Sequence, residues 1–156
     1  MKIIYVHHGN RKVINETPTE NDDLTEIGYK DCELVAELLN NPKIKENVKA
    51  IYTSPVFRCQ KTAEIINKGL NVPIFEDSRL KEFKRMWEDW IDLQTRVQDC
   101  IDEIVSKYDD NDIVICVTSG VNVCAFINKA YGIKPSSDAP ILGLSNCCPI
   151  VFNYKK

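Results

Sequence analysis

Histidine is almost absent from this 156-residue chain, and the only two, His7 and His8, are adjacent. No apolar run approaches the roughly 20 residues that a bilayer-spanning helix needs, so none is expected. The N-terminus enters a strand pattern directly, without the basic and apolar regions of a secretory leader, and no leader is expected either. Clustered positive charge is also missing. The formal net charge is -3, from 20 basic and 23 acidic residues, which excludes the basic footprint of a nucleic-acid-binding surface. The seven cysteines, Cys32, Cys59, Cys100, Cys116, Cys124, Cys147 and Cys148, lack the spacing of a zinc site or a redox motif. Most sit in apolar runs where a thiol behaves as a small hydrophobe, and Cys147 with Cys148 would close only a strained ring, so free buried thiols are expected. These absences describe a cytoplasmic protein without metal or cofactor, and without nucleic-acid or membrane partners.

What is present is an alternation of short β-rich runs and longer helical patterns in a length suited to one domain, residues 1–156. Residues 2–7 read as a buried strand. Thr25 has the character of an N-cap, and Ile27, Leu34, Val35, Leu38 and Leu39 follow at helical spacing until Asn40-Asn41-Pro42. Residues 49–53 form a second strand. Ser54-Pro55 starts the next helix, which Gly69 ends, and 72–75 is a short third strand. From Met86 to Lys107 the residues Met86, Trp90, Leu93, Val97, Ile101 and Ile104 recur every three or four positions, as in an amphipathic helix packed on a sheet. Residues 112–118 are almost continuously apolar, as in a strand covered on both faces. A helix from Val121 to Tyr131 and a strand over 149–154 complete the chain. This order predicts an α/β fold, a three-layer α/β/α sandwich around a mainly parallel sheet.

Sites in such sheets form at the carboxyl ends of strands. His7-His8-Gly9, Ser54-Pro55 and Ser119-Gly120 each follow a separate strand, and their convergence predicts one site.

In these segments the chain resembles the histidine phosphatase superfamily, the phosphoglycerate mutase-like proteins, nearly end to end. HHG after the first strand resembles the family's Arg-His-Gly. LTEIGYKDCELVAELL resembles its Leu-Thr-x-x-Gly segment, and YTSPVFRCQKTAEII matches Ser-Pro-x-x-Arg-x-x-x-Thr-Ala, the most specific likeness of the set. SRLKEF resembles Leu-x-Glu, VTSGVNVCAFI stands where the family has Val-Ser-His-Gly, and LSNCCPIVFNY resembles its closing Asn and strand. The resemblance implies a phosphohistidine mechanism with catalytic residues His8, the nucleophile, and Glu82, the general acid. It implies phosphate binding by His7, Gly9, Arg58 and Ser119, with Arg58 as a bidentate clamp. The implied partner is a phosphorylated small molecule or a phosphoprotein.

Two positions depart from that pattern: His7 replaces the family's arginine and Ser119 its second histidine. Losing two charge-assisted contacts, at about 2–4 kcal/mol each, predicts a rate deficit on the order of a thousandfold or more. A protonated His7, or Arg11 or Lys12 from the following loop, would restore part of the charge. The lid insertion of many relatives is missing after Glu82. An open pocket follows, with Trp87 and Trp90 beside it as contacts or as packed aromatics. Three functions fit: a slow phosphomonoesterase acting through His8, a catalytically degenerate phosphate- or protein-binding member, and a phosphoglycerate mutase, which the missing lid disfavours.

Overall fold

Alternation along the first strand decides the layering. In β1 (Lys2–His7), Ile3 and Tyr5 point to one face of a sheet and Ile4 and Val6 to the other, and all four are buried. A strand that is apolar on both faces must be covered twice. The computed structural model describes residues 1–14, 17–84, 86–139 and 143–155, and within them the two covers are helical. Helices α1 (Glu26–Leu39) and α3 (Phe57–Leu70) bury Val35, Leu39, Cys59, Ala63 and Ile66 against Ile4 and Val6. On the opposite face, α4 (Trp90–Lys107) and α5 (Val123–Ala130) bury Leu93, Val97, Ile101 and Phe126 against Ile3 and Tyr5. A one-turn helix, α2 (Pro42–Lys45), follows α1.

The sheet adds β2 (Val48–Thr53), β3 (Ile74–Glu76), β4 (Ile113–Thr118) and β5 (Pro149–Asn153) in the order β3-β2-β4-β1-β5. All neighbours are parallel except β5, which runs antiparallel to β1. The expected α/β/α sandwich with a mainly parallel sheet is therefore the observed fold. Because β1 pairs with β4 up to His7 and Thr118, and β2 with β4 up to Thr53 and Val117, three strands end side by side at one rim. No helix among the described residues is long and apolar enough to cross a membrane.

Several local expectations shift. Thr25 caps α1 by accepting from the Gly28 N–H, but Ile27, Leu34 and Leu38 lie on its exposed side, while Gly28, Cys32, Val35 and Leu39 face inward. Helix α3 begins two residues after Pro55, with Val56 at its cap. It runs through Gly69 and stops where Asn71 turns left-handed at φ 55°. Gly69 is small because Asn40 packs where its Cβ would be. Helix α4 starts later than its apolar periodicity suggests. Asp89 and Asp92 form a reciprocal capping box, and Met86 and Trp87 precede the helix, exposed. Gly120–Asn122 is a 3-10 turn leading into α5.

Candidate active site

His8 lies just beyond the end of β1 and is 5 % exposed. Its N–H donates to the Thr118 carbonyl, extending the ladder by one residue. The ring is oriented from both sides. Nδ1 is 2.7 Å from the Gly9 carbonyl, which can only accept, so Nδ1 carries the proton. Nε2 is left as a lone pair and accepts from Arg58 Nε at 3.1 Å. Burial, then the neighbouring His7, lowers the His8 pKa to about 3, so the ring is neutral across the physiological range.

Arg58 stands in the first turn of α3 and is 2 % exposed. Its three nitrogens all have partners: Nε donates to His8, Nη1 to the Thr19 carbonyl at 2.8 Å, and Nη2 to Glu82 Oε2 at 2.7 Å. His8, Arg58 and Glu82 thus form one hydrogen-bonded chain. The Glu82 backbone is fixed from beneath, since Arg96 donates to the carbonyls of Arg79, Lys81 and Glu82 and is itself held by Glu88.

His7 stacks edge-on against His8 with ring centroids 4.4 Å apart. Its Nδ1 bonds the Leu144 carbonyl at 2.8 Å and its Nε2 faces Asn146. Burial lowers its pKa, outweighing the carbonyl contacts that raise it, so the cationic His7 that the sequence offers as a substitute for arginine is disfavoured. Arg11 is paired with Asp22 at 2.9 Å. Ser119 is buried, its Oγ has no hydrogen-bond partner among the described residues, and its carbonyl accepts from Tyr5 Oη at 2.7 Å. Gly120 packs on the His7 ring so closely that a Cβ would come within 2.9 Å of Cε1.

Gly9 also answers a packing demand that the sequence reading did not include. A Cβ there would meet Cys32 Sγ at 2.7 Å and the Gly28 carbonyl at 2.9 Å, so the missing side chain makes room for α1. The Gly9 N–H is committed to Thr62 Oγ1 at 3.0 Å.

Two further residues hold the cluster, and neither had a role in the sequence reading. Thr62, buried, accepts from Gly9 and donates to the Arg58 carbonyl at 2.8 Å, tying the His8–Gly9 loop to α3. Asn146 donates to the His8 carbonyl at 2.9 Å. Both stand inside segments that carry the family resemblance, which was the available signal. Beside Arg58 and Glu82 opens a cavity of about 600 Å³. Val56, Phe83, Met86 and Trp87 make its apolar lining and Lys81 and Lys84 its basic edge. Trp90 is not among its lining residues; it packs on Phe83 and donates to the Ala139 carbonyl.

The family model of the histidine phosphatase superfamily (branch 1) matches residues 3–88 and 83–156. The chain belongs to that superfamily. Solved structures share its fold across nearly the whole length. YhfR of Bacillus stearothermophilus is 22% identical with a TM-score of 0.79, covering 96% of this chain and 89% of its own. A mycobacterial glucosyl-3-phosphoglycerate phosphatase complexed with VO3 is 17% identical with a TM-score of 0.79, covering 96% and 90%. A phosphoserine phosphatase mutant of Entamoeba histolytica in complex with phosphoserine is 16% identical with a TM-score of 0.75, covering 99% and 91%. No curated protein sequence matches the chain. The cluster of His8, Arg58 and Glu82 stands beside His7 and Ser119, the two positions at which the sequence departs from the pattern it resembles.

Proposed function

We propose that this histidine phosphatase superfamily protein hydrolyses phosphomonoesters through a phosphohistidine on His8, slowly, because His7 and Ser119 supply no fixed positive charge. The observation that carries this reading is the orientation of the His8 ring: the proton is held on Nδ1 by the Gly9 carbonyl, and the Nε2 lone pair is turned toward Arg58. In the first step Nε2 attacks phosphorus and a P–N bond replaces the ester P–O bond. Glu82 gives its proton to the departing alkoxide or phenoxide. Water then attacks phosphorus, the P–N electron pair returns to Nε2, and inorganic phosphate leaves with the proton balance restored through Glu82. Arg58 holds the phosphoryl oxygens throughout. The pocket mouth, with Phe83, Met86 and Trp87 beside Lys81 and Lys84, favours an ester with an apolar leaving group, on a small molecule or on a protein.

One observation favours a second reading, that of a phosphate- or protein-binding member without turnover. Each Arg58 nitrogen already has a partner within the protein, and only one N–H on each of Nη1 and Nη2 is left for an arriving phosphate among the described residues. A mutase would have to shield a phosphoenzyme from water, and the exposed Met86 and Trp87 at this cavity do not support that.

Mixing the protein with an activated aryl phosphate and quenching in base within one turnover should yield an acid-labile phosphoryl group on His8. His8→Ala should remove both that adduct and the turnover. Stoichiometric phosphate binding with no adduct at any time would select the binding reading instead.

A further inference from the structure

Behind the nucleophile loop, Cys32 of α1 and Cys147 of the segment preceding β5 bring their sulfurs to 3.4 Å, although they are 115 residues apart in sequence. All seven cysteines are free, yet this is the one pair of sulfurs hydrogen-bonded to each other among the described residues. Both partners reach the His7–Gly9 loop. Cys32 Sγ touches Thr62 Oγ1 at 3.5 Å, the same oxygen that receives the Gly9 N–H. The Cys147 N–H donates to the His7 carbonyl at 3.0 Å, and the preceding Asn146 holds the His8 carbonyl. Cys147 itself sits in the left-handed region at φ 52°, a conformation that residues without a reason to be there avoid.

We propose that Cys32 and Cys147 are an oxidation site: a peroxide converts them to a disulfide that ties α1 to the segment before β5 across the back of the His8 loop. Reactivity and access support the pairing. The hydrogen bond from Cys147 holds the Cys32 thiol below its ordinary pKa, and it is a thiolate that attacks the oxygen of a peroxide. Cys147 is half-buried and lines a surface groove with Asp31, Leu34, Leu38 and Pro149, a path for a molecule as small as hydrogen peroxide. Cys147, the donor in the bond to Cys32, is shifted upward by it, which makes Cys32 the thiolate of the pair; burial raises the pKa of Cys59, Cys100, Cys116 and Cys124, and none of these has a sulfur partner among the described residues.

The chemistry balances with peroxide as the two-electron oxidant. One sulfur takes an oxygen from hydrogen peroxide and becomes a sulfenic acid while water leaves. The other sulfur attacks it, the S–S bond forms, the S–O bond breaks, and a second water carries away the hydroxyl and the remaining thiol proton. Closure needs the sulfurs to move from 3.4 Å to about 2.05 Å, a small adjustment because they are already in contact. The bond closes a loop of 115 residues, and in the chain-entropy picture such a loop raises the thermal midpoint by roughly 10 °C.

The test is treatment of the folded protein with hydrogen peroxide, alkylation of remaining thiols, and peptide mapping by mass spectrometry. A Cys32–Cys147 cross-link should appear first, be reversed by dithiothreitol, and accompany the rise in midpoint. Cys147→Ser and Cys32→Ser should each abolish both effects, and Cys148→Ser should leave both intact. Either single variant suffices if the other fails to fold. Recovery of Cys32 and Cys147 as alkylated free thiols, a bond formed first by another pair, or a cross-link with an unchanged or lowered midpoint would overturn the proposal. None of these readouts depends on phosphatase activity.

Discussion

The carboxamide of Asn146 donates to the carbonyl of His8 at 2.9 Å, joining two residues 138 positions apart. That bond holds the loop of one strand end with a residue from the opposite end of the chain, and it completes a set in which Thr62 fixes Gly9 and Gly9 fixes the His8 ring. Removing it leaves a carbonyl in a buried setting without its partner. Asn146→Ala should cost about 1–2 kcal/mol, read as a lower urea midpoint. Thr62→Val, which strips the acceptor from the Gly9 N–H while keeping side-chain volume, should cost about 1–3 kcal/mol. An unchanged midpoint in both would mean that this bracing contributes nothing.

Two glycines should respond differently to the same methyl group. At Gly9 the added carbon meets the Gly28 carbonyl as well as Cys32, and backbone cannot step aside. Gly9→Ala should therefore cost about 1–3 kcal/mol as overpacking. At Gly120 the added carbon's three nearest neighbours are all atoms of the His7 ring, which can rotate once its bond to Leu144 yields. Gly120→Ala should be the milder change and should move the His7 ring resonances. Equal losses, measured by urea unfolding, would contradict this account.

Acid should loosen the fold through the two histidines. His8 is held neutral, with its pKa lowered to about 3 mainly by burial, and His7 is shifted in the same direction. Between an unfolded value near 6.5 and the folded value, the unfolded chain binds more protons than the native one, so stability rises with pH. The contribution is complete above about pH 6.5 and is lost as pH falls toward 3, by up to about 1.4 kcal/mol per pH unit for His8 alone. His8→Asn should flatten that slope in denaturant titrations between pH 4 and 6.5. A slope equal to the parent's would show that His8 does not titrate this way.

The two departures from the resembled pattern can be tested by substitution. If Ser119 and His7 limit chemistry, Ser119→His with His7→Arg should raise aryl phosphate hydrolysis by roughly a hundredfold or more, with less than additive effects from the single changes. Adding His8→Ala should erase the gain. A folded, phosphate-binding double variant with no gain in rate would move the limitation to Arg58, whose nitrogens are all engaged.

The sequence made the layering and much of the site legible, for physical reasons. Strand runs such as residues 112–118 are apolar on both faces, and Thr25 is of a residue type strongly preferred at helix starts, where it does cap α1. The inward face of α1 was not legible. Ile27, Leu34 and Leu38 outweigh Gly28 and Cys32 in any hydropathy pattern, yet the small residues are the ones that let Gly9 approach. The start of α4 was missed because Met86 continues the apolar period, while the Asp89–Asp92 capping box decides the boundary. His8, Arg58 and Glu82 could be placed together from strand ends and family resemblance. The bracing by Thr62, Asn146 and Arg96, and the meeting of Cys32 with Cys147, depend on long-range register that local periodicity does not carry.

The strand order has one more consequence, for the making of the protein. β1 is flanked by β4 and β5, so this strand finds its permanent neighbours only after more than a hundred further residues have been synthesised. Until residues 113–118 emerge, Ile3, Ile4, Tyr5 and Val6 form a bare apolar segment with both edges unpaired. His8 is thus made long before its surroundings: the strand ends that gather around it meet only once β4 slots between β2 and β1.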